Sequence, residues 1–133
     1  MISYAYLWAR EAAEGQDEGV KDRPVVVTVA RIESEGRTEI IVAPITHSKP
    51  ETDADGLELP PSVKRVLGLD RERSWIVTRE LNRFIWPGPD VRVAPGKSSP
   101  HYDAIPERLF DQLRIAVHKH VKAGRLKVTK RSE

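Results

Sequence analysis

Residues 24–32, PVVVTVARI, and residues 38–46, TEIIVAPIT, are two runs of β-branched and apolar side chains separated by Glu33-Ser34-Glu35-Gly36-Arg37. Such side chains fit a pleated, half-buried surface, and a short polar link containing glycine between two such runs signals a hairpin. The two strands are therefore expected at the centre of a β-sheet. Pro24 takes the first strand position, where a missing N–H does little harm. Just before it, Lys21, Asp22 and Arg23 place more charge than a turn needs. Arg23 is thus a candidate for a ligand contact, or for an ion pair with Asp22 or a loop carboxylate.

Outward from the hairpin the chain reads as short elements. Residues 4–8 are a short aromatic strand, followed over residues 11–22 by a polar loop with Gly15 and Gly19. After a second polar loop, residues 47–56, the stretch PPSVKRVLG at 60–68 has a proline start, apolar Val63, Val66 and Leu67 at helical spacing, and Gly68 as a stop. SWIVTRE at 74–80 predicts another strand, followed by residues 83–86 and a weaker strand, VRVAP, at 91–95. Residues 106–123 carry Leu109, Phe110, Leu113, Ala116, Val117 and Val121 at periods of three and four, with Gly124 at the end. That is the one long helix. The fold class expected is mainly β with a C-terminal helix, arranged as a small, partly open antiparallel barrel over residues 1–124. Residues 125–133 are left as a basic tail.

The bounds narrow the chemistry. A chain of 133 residues is one domain by length. It contains no cysteine, so disulfides, thiolate metal sites and cysteine nucleophiles are excluded. No apolar run approaches the roughly 20 residues of a membrane span, and no basic start leads into an apolar stretch; a cytoplasmic protein with no membrane partner is expected. The net charge is +2 with 32% of residues charged. Acidic residues crowd 11–18 and basic ones 119–131, a pattern that fits a solvated surface or local patches for phosphate.

Of the histidines His47, His101, His118 and His120, the last two cannot share a metal, because residues two apart on a helix point about 200° away from each other. Both are expected on the surface. The acidic loop EGQDEG at 14–19 lacks the ligand spacing of a calcium loop. No phosphate-binding or dinucleotide glycine pattern and no Gly-x-Ser-x-Gly elbow occurs. No cofactor is expected.

The order of motifs carries a resemblance. Trp8 in a first strand, a polar loop with glycine, R-P-V-V-V from Arg23, a strand closing in P-I-T at Thr46, Gly68-Leu69 shortly before Ser74, and E-L-N-R from Glu80 follow one another over roughly residues 4–123. This order is similar to the MazF, PemK and Kid family of toxin endoribonucleases. The resemblance implies an SH3-like barrel, a homodimer, an antitoxin protein as partner, and cutting of single-stranded RNA without a metal. It also implies that Arg23 acts on the scissile phosphate and that Thr46 helps to hold it. Attack by the RNA 2′-hydroxyl on its own phosphate supplies the nucleophile, leaving the protein to orient the strand, stabilise charge and move protons.

Departures from the pattern set the remaining roles. His47 stands where the family often has serine, and it can titrate near neutrality as acid or base. Lys21, Ser48, Lys49 and Arg83 are candidates for RNA binding. Glu80 matches the family's acidic position, whereas Thr78 replaces an arginine of some members; Arg79 and Arg83 are possible substitutes, although strand alternation sets Arg79 on the other face from Thr78. Trp8 reads as core or groove wall rather than as a stacking platform. Two alternatives remain. The barrel also resembles CcdB, a toxin that binds DNA gyrase and cuts nothing, and it suits a non-catalytic RNA-binding barrel.

Overall fold

The computed structural model describes residues 1–4, 6, 8–13, 22–32, 36–86, 91–92 and 104–131, the side chains at 29–31 and 92 excepted. The hairpin is its spine. Strand β2 (Arg23–Ile32) pairs antiparallel with β3 (Thr38–Thr46), from Val25↔Pro44 to Ile32↔Thr38. Residues 33–35 of the link lie outside the described residues, and Gly36 next to them has φ +80°, a conformation that favours glycine. The register shifts by one between Val27 and Val29. Thr28 is the extra residue of this β-bulge, and its hydroxyl donates to the Ile41 carbonyl at 2.9 Å.

The sheet is buried on both faces, which explains why the hairpin reads as continuous apolar runs rather than as strict alternation. Val25, Ile40 and Val42 face one core with Ile2, Tyr4, Tyr6 and Phe84. Val26, Ala43 and Ile45 face the other with Leu59, Ile76, Leu81, Leu109 and Leu113. Each buried leucine of that second core contributes roughly 1.5–3 kcal/mol.

The other elements join this spine. Strand β1 (Ile2–Tyr4) pairs with β2, and helix α1 (Ala9–Ala13) follows it. Strand β4 (Gly56–Glu58) and helix α2 (Pro61–Leu67) precede β5 (Trp75–Val77) and β6 (Glu80–Trp86), and β7 (Val91–Arg92) pairs with β1. Helix α3 (Glu107–Lys122) leads to β8 (Lys127–Lys130). Among the described residues the result is a mainly β, mixed sheet of eight strands with one long C-terminal helix. The free edge of β3 is divided, its first half pairing with β6 and its last two residues with β5.

Both longer helices stop by the same device. After α2, Gly68 at φ +71° lets Leu69 N–H reach the Lys64 carbonyl; after α3, Gly124 at φ +68° lets Arg125 N–H reach the His120 carbonyl. These are Schellman closures, in which a left-handed glycine satisfies carbonyls that the helix leaves open.

Four expectations need correction. Trp8 is not in a strand: it precedes α1, so Glu11 to Ala13 is helical rather than loop, and residues 14–21 lie outside the described residues. SWIVTRE is two strands, because Thr78 turns its side chain inward and the chain bends before Glu80. The stretch following α3 is not a loose tail, since β8 pairs parallel with β6, from Glu80↔Lys127 to Arg83↔Lys130, and the arrangement is therefore not all antiparallel. His120 is buried at 1% exposure and is not a surface residue. Residues 93–95 of the expected VRVAP strand, and His101, lie outside the described residues.

Candidate functional site

The ends of β2 and β3 meet at a polar cleft of about 590 Å³ whose walls include Trp8, Arg23, Thr46, His47, Lys49 and Glu80. Extending the register Val25↔Pro44 by two residues places Arg23 opposite Thr46. The hairpin thus brings to one spot two residues that lie 23 positions apart, and Arg23 Nη1 donates to the Ile45 carbonyl at 3.2 Å.

Helix α1 builds the wall behind Arg23. Glu11 Oε1 accepts from Trp8 N–H at 3.0 Å, the reach-back half of a capping box. Glu80 Oε1 accepts from Ala9 N–H at 3.0 Å and from the Tyr6 hydroxyl at 3.2 Å. Burial, with the Glu80 charge beside it, pushes the Tyr6 phenol far above its ordinary value, so it remains a donor. The two carboxylates fix Trp8, whose ring has the Arg23 guanidinium 5.1 Å and the Arg10 guanidinium 5.5 Å from its centroid. Arg23 Nε is buried without a hydrogen-bond partner. Burial lowers the Arg23 pKa from its ordinary value, against the opposing pull of Glu11.

Thr46 closes β3, and its Oγ1 accepts from Ser48 N–H at 3.1 Å. That bond makes a turn of the kind hydroxyl side chains favour, and it leaves the Thr46 O–H proton available as a donor toward the cleft. His47 is held by the loop after α2: Nε2 lies 2.8 Å from Asp70 Oδ2 and Nδ1 lies 3.3 Å from Glu72 Oε2. A carboxylate oxygen only accepts, so the Asp70 contact is made by an N–H at Nε2. Behind Asp70 stands Lys64, which is 5% exposed and donates to Asp70 Oδ1 and Ser74 Oγ, each at 2.8 Å, and to the Glu72 carbonyl. The Lys64 hydrogen bond, aided by His47, holds the Asp70 carboxyl below its usual range.

The floor rests on α3. The Ala54 carbonyl accepts from His120 Nε2 at 2.9 Å and from Thr78 Oγ1 at 3.0 Å. Next to it, Asp55 Oδ2 accepts from Arg79 Nη1 at 3.3 Å, and both residues line the cleft.

Of the residues proposed from sequence, Arg23, Thr46, His47, Ser48, Lys49 and Glu80 line this one cleft. Arg83 does not: alternation along β6 sets it on the side of Leu81, the face that packs toward α3, opposite Glu80. Lys21 lies outside the described residues. Sequence reasoning missed Arg10, Asp55 and the supports Lys64 and His120. For His120 a signal existed, since it falls seven residues after Leu113, on the buried stripe of α3. Among the described residues, no group of three His, Cys, Asp or Glu is arranged to hold a metal ion, and no helix is long and apolar enough to cross a membrane. Comparison with known proteins gives no matching family model, no matching curated protein and no matching solved structure.

Proposed function

We propose that the chain is an endoribonuclease that cuts single-stranded RNA by attack of a 2′-hydroxyl on the adjoining phosphate, on an SH3-like barrel of the MazF and PemK kind. The observation that carries the reading is the meeting of Arg23 and Thr46 across the hairpin, in a polar cleft walled by a fixed indole. A phosphate there receives the terminal N–H groups of the guanidinium that the Ile45 carbonyl leaves unused, and the Thr46 hydroxyl. Charge developing on the phosphoryl oxygens is stabilised by donors already in place. Burial moves Arg23 toward easier proton loss, yet guanidinium stays charged in proteins, so its part is charge stabilisation. His47, hydrogen-bonded to Asp70 with Glu72 beside it, is the group in the cleft suited to deliver a proton to the leaving 5′-oxygen. The same reading carries a homodimer and an antitoxin as partners, and a strictly monomeric mass at micromolar concentration speaks against the dimer.

The test is incubation of the purified protein with a mixed-sequence single-stranded RNA pool, with and without chelator. Fragments ending in a cyclic phosphate and a 5′-hydroxyl are expected in both, and DNA of the same sequences is expected to stay whole. His47→Ala assigns the proton: a large loss with an altered pH profile makes it the acid or base, and no change makes it a latch for the Asp70 loop. If the parent cuts no RNA, the reading fails. A protein-binding role then takes precedence, for which the observation in favour is an apolar groove of about 960 Å³ along α3, with Ile115, Val121 and Val128 exposed on its walls.

A further inference from the structure

Beside the cleft, the sheet builds a second feature that the cleavage chemistry does not use. Thr46, Trp75 and Glu58 stand in register across β3, β5 and β4, and neighbouring strands lie about 4.8 Å apart. The Arg73 guanidinium lies 5.0 Å from the centroid of the Trp75 ring. Glu58 grips it from the side, with Oε2 accepting from Nε and Oε1 from Nη2, each at 2.8 Å. Indole and carboxylate together fix the plane of the guanidinium, while the Arg73 side chain stays 67% exposed.

Charge decides what such a surface can bind. The two-point bond raises the Arg73 pKa and lowers that of Glu58, so the pair is ionised and close to neutral as a unit. A phosphate gains little there, because Glu58 takes one fork of the guanidinium and its negative charge offsets the pull on an anion. What remains is a flat, polarisable face, and unstacked bases of single-stranded RNA stack on arginine planes as they do on aromatic rings. The hollow over this face, about 250 Å³, shares Lys49, Pro50 and Thr52 with the cleft. Lys49 therefore stands on the wall common to both, where the backbone phosphate joining two nucleotides would run.

We infer that Arg73, held by Trp75 and Glu58, is a nucleobase-stacking platform that seats the nucleotide next to the one whose phosphate meets Arg23 and Thr46. The inference rests on the reading of the cleft as an RNA site, and it deepens that reading by assigning base recognition to the Arg73 face.

The experiment follows the side-chain NMR signals of Trp75 and Arg73 during titration with AMP, GMP, CMP and UMP, with inorganic phosphate as the control. A second arm measures binding of an uncleavable mixed-sequence 2′-O-methyl RNA to the parent, Arg73→Ala and Arg73→Lys. Both variants change an exposed side chain and should fold. The nucleotides are expected to shift both signals where phosphate does not, and Arg73→Ala is expected to bind the RNA roughly five- to a hundredfold more weakly. Arg73→Lys should not rescue, since it keeps the charge and loses the plane. Equal shifts from phosphate, rescue by lysine, or unchanged binding by Arg73→Ala each overturn the platform. A parent that cuts RNA while nucleotides leave both signals in place refutes the platform and spares the nuclease reading. Signals that move in a parent that cuts nothing do the reverse.

Discussion

Lys64 and Arg23 are both partly or fully sheltered cations within one sheet's reach of the cleft, and they are held in opposite ways. Lys64 meets three oxygens with its three N–H donors, so its bonding capacity is filled. Arg23 has one carbonyl and the face of an indole, and its Nε is left without a partner. A filled cation fixes a loop. An unfilled one, kept in place by stacking that uses none of its N–H groups, keeps terminal donors to offer. On the proposed reading, that difference lets a chain with a net charge of only +2 offer a phosphate a local site.

Substitution breaks the comparison from either side. Arg23→Ala should have the largest effect, a loss of roughly a hundredfold or more in RNA cleavage, since removing a donor to developing charge costs about 3–4 kcal/mol. Its urea midpoint should stay near the parent's. An equal cleavage rate would sink the assignment. Lys64→Met should reverse the pattern, lowering stability by about 2 kcal/mol because Ser74 and the Glu72 carbonyl lose a buried donor. Its cleavage rate, measured where both proteins are folded, should stay within a few-fold.

Smaller effects sharpen the contrast. Thr46→Ala should slow cleavage by about fivefold, the worth of one neutral hydrogen bond of about 1 kcal/mol, with a rate equal to Arg23→Ala as the result that breaks the ranking. The smallest change concerns acid. The Asp70 carboxyl is held below its usual range, chiefly by Lys64. Its contribution to stability is present above the unfolded value of about 3.9 and is lost as pH falls through the depressed folded value. Asp70→Asn should therefore show a shallower fall in urea midpoint than the parent does as pH falls below about 5. A parallel fall in both would show that Lys64 does not draw its strength from Asp70.

What the sequence revealed and what it hid divide along a physical line. Strands β2 and β3 and helices α2 and α3 were legible because local pattern alone specifies them: β-branched runs, proline starts and glycine stops. Strand β8 was not, since KVTK has two charges and one valine and becomes a strand only when β6 offers it an edge. The division of SWIVTRE was equally hidden, because Thr78 turns inward to satisfy Ala54 and meet His120, partners 24 and 42 positions away. At the site, the residues on the hairpin ends and the turn after it were legible, as the pairing of two neighbouring strands brings them together. Arg83 misled because its position in sequence does not show which face of β6 it takes. Lys64 looked like any surface lysine of a short helix, and only the fold shows that it is sealed in.

The bulge at Thr28 has a bearing on how this chain tolerates insertion and deletion. On the turn side of Thr28 the paired positions sum to 70, as in Val29↔Ile41, and on the cleft side to 69, as in Val25↔Pro44. Thr28 is therefore a spare residue in the ladder. Deleting it would close the bulge and leave every pairing in place, with Val27 still across from Val42 and Arg23 still across from Thr46. Inserting one residue between Arg23 and Val27, by contrast, would set Arg23 across from His47 and turn it to the opposite face of the sheet. A single lost codon at the bulge would spare the site, and a single gained codon ahead of it would remove the guanidinium from the cleft.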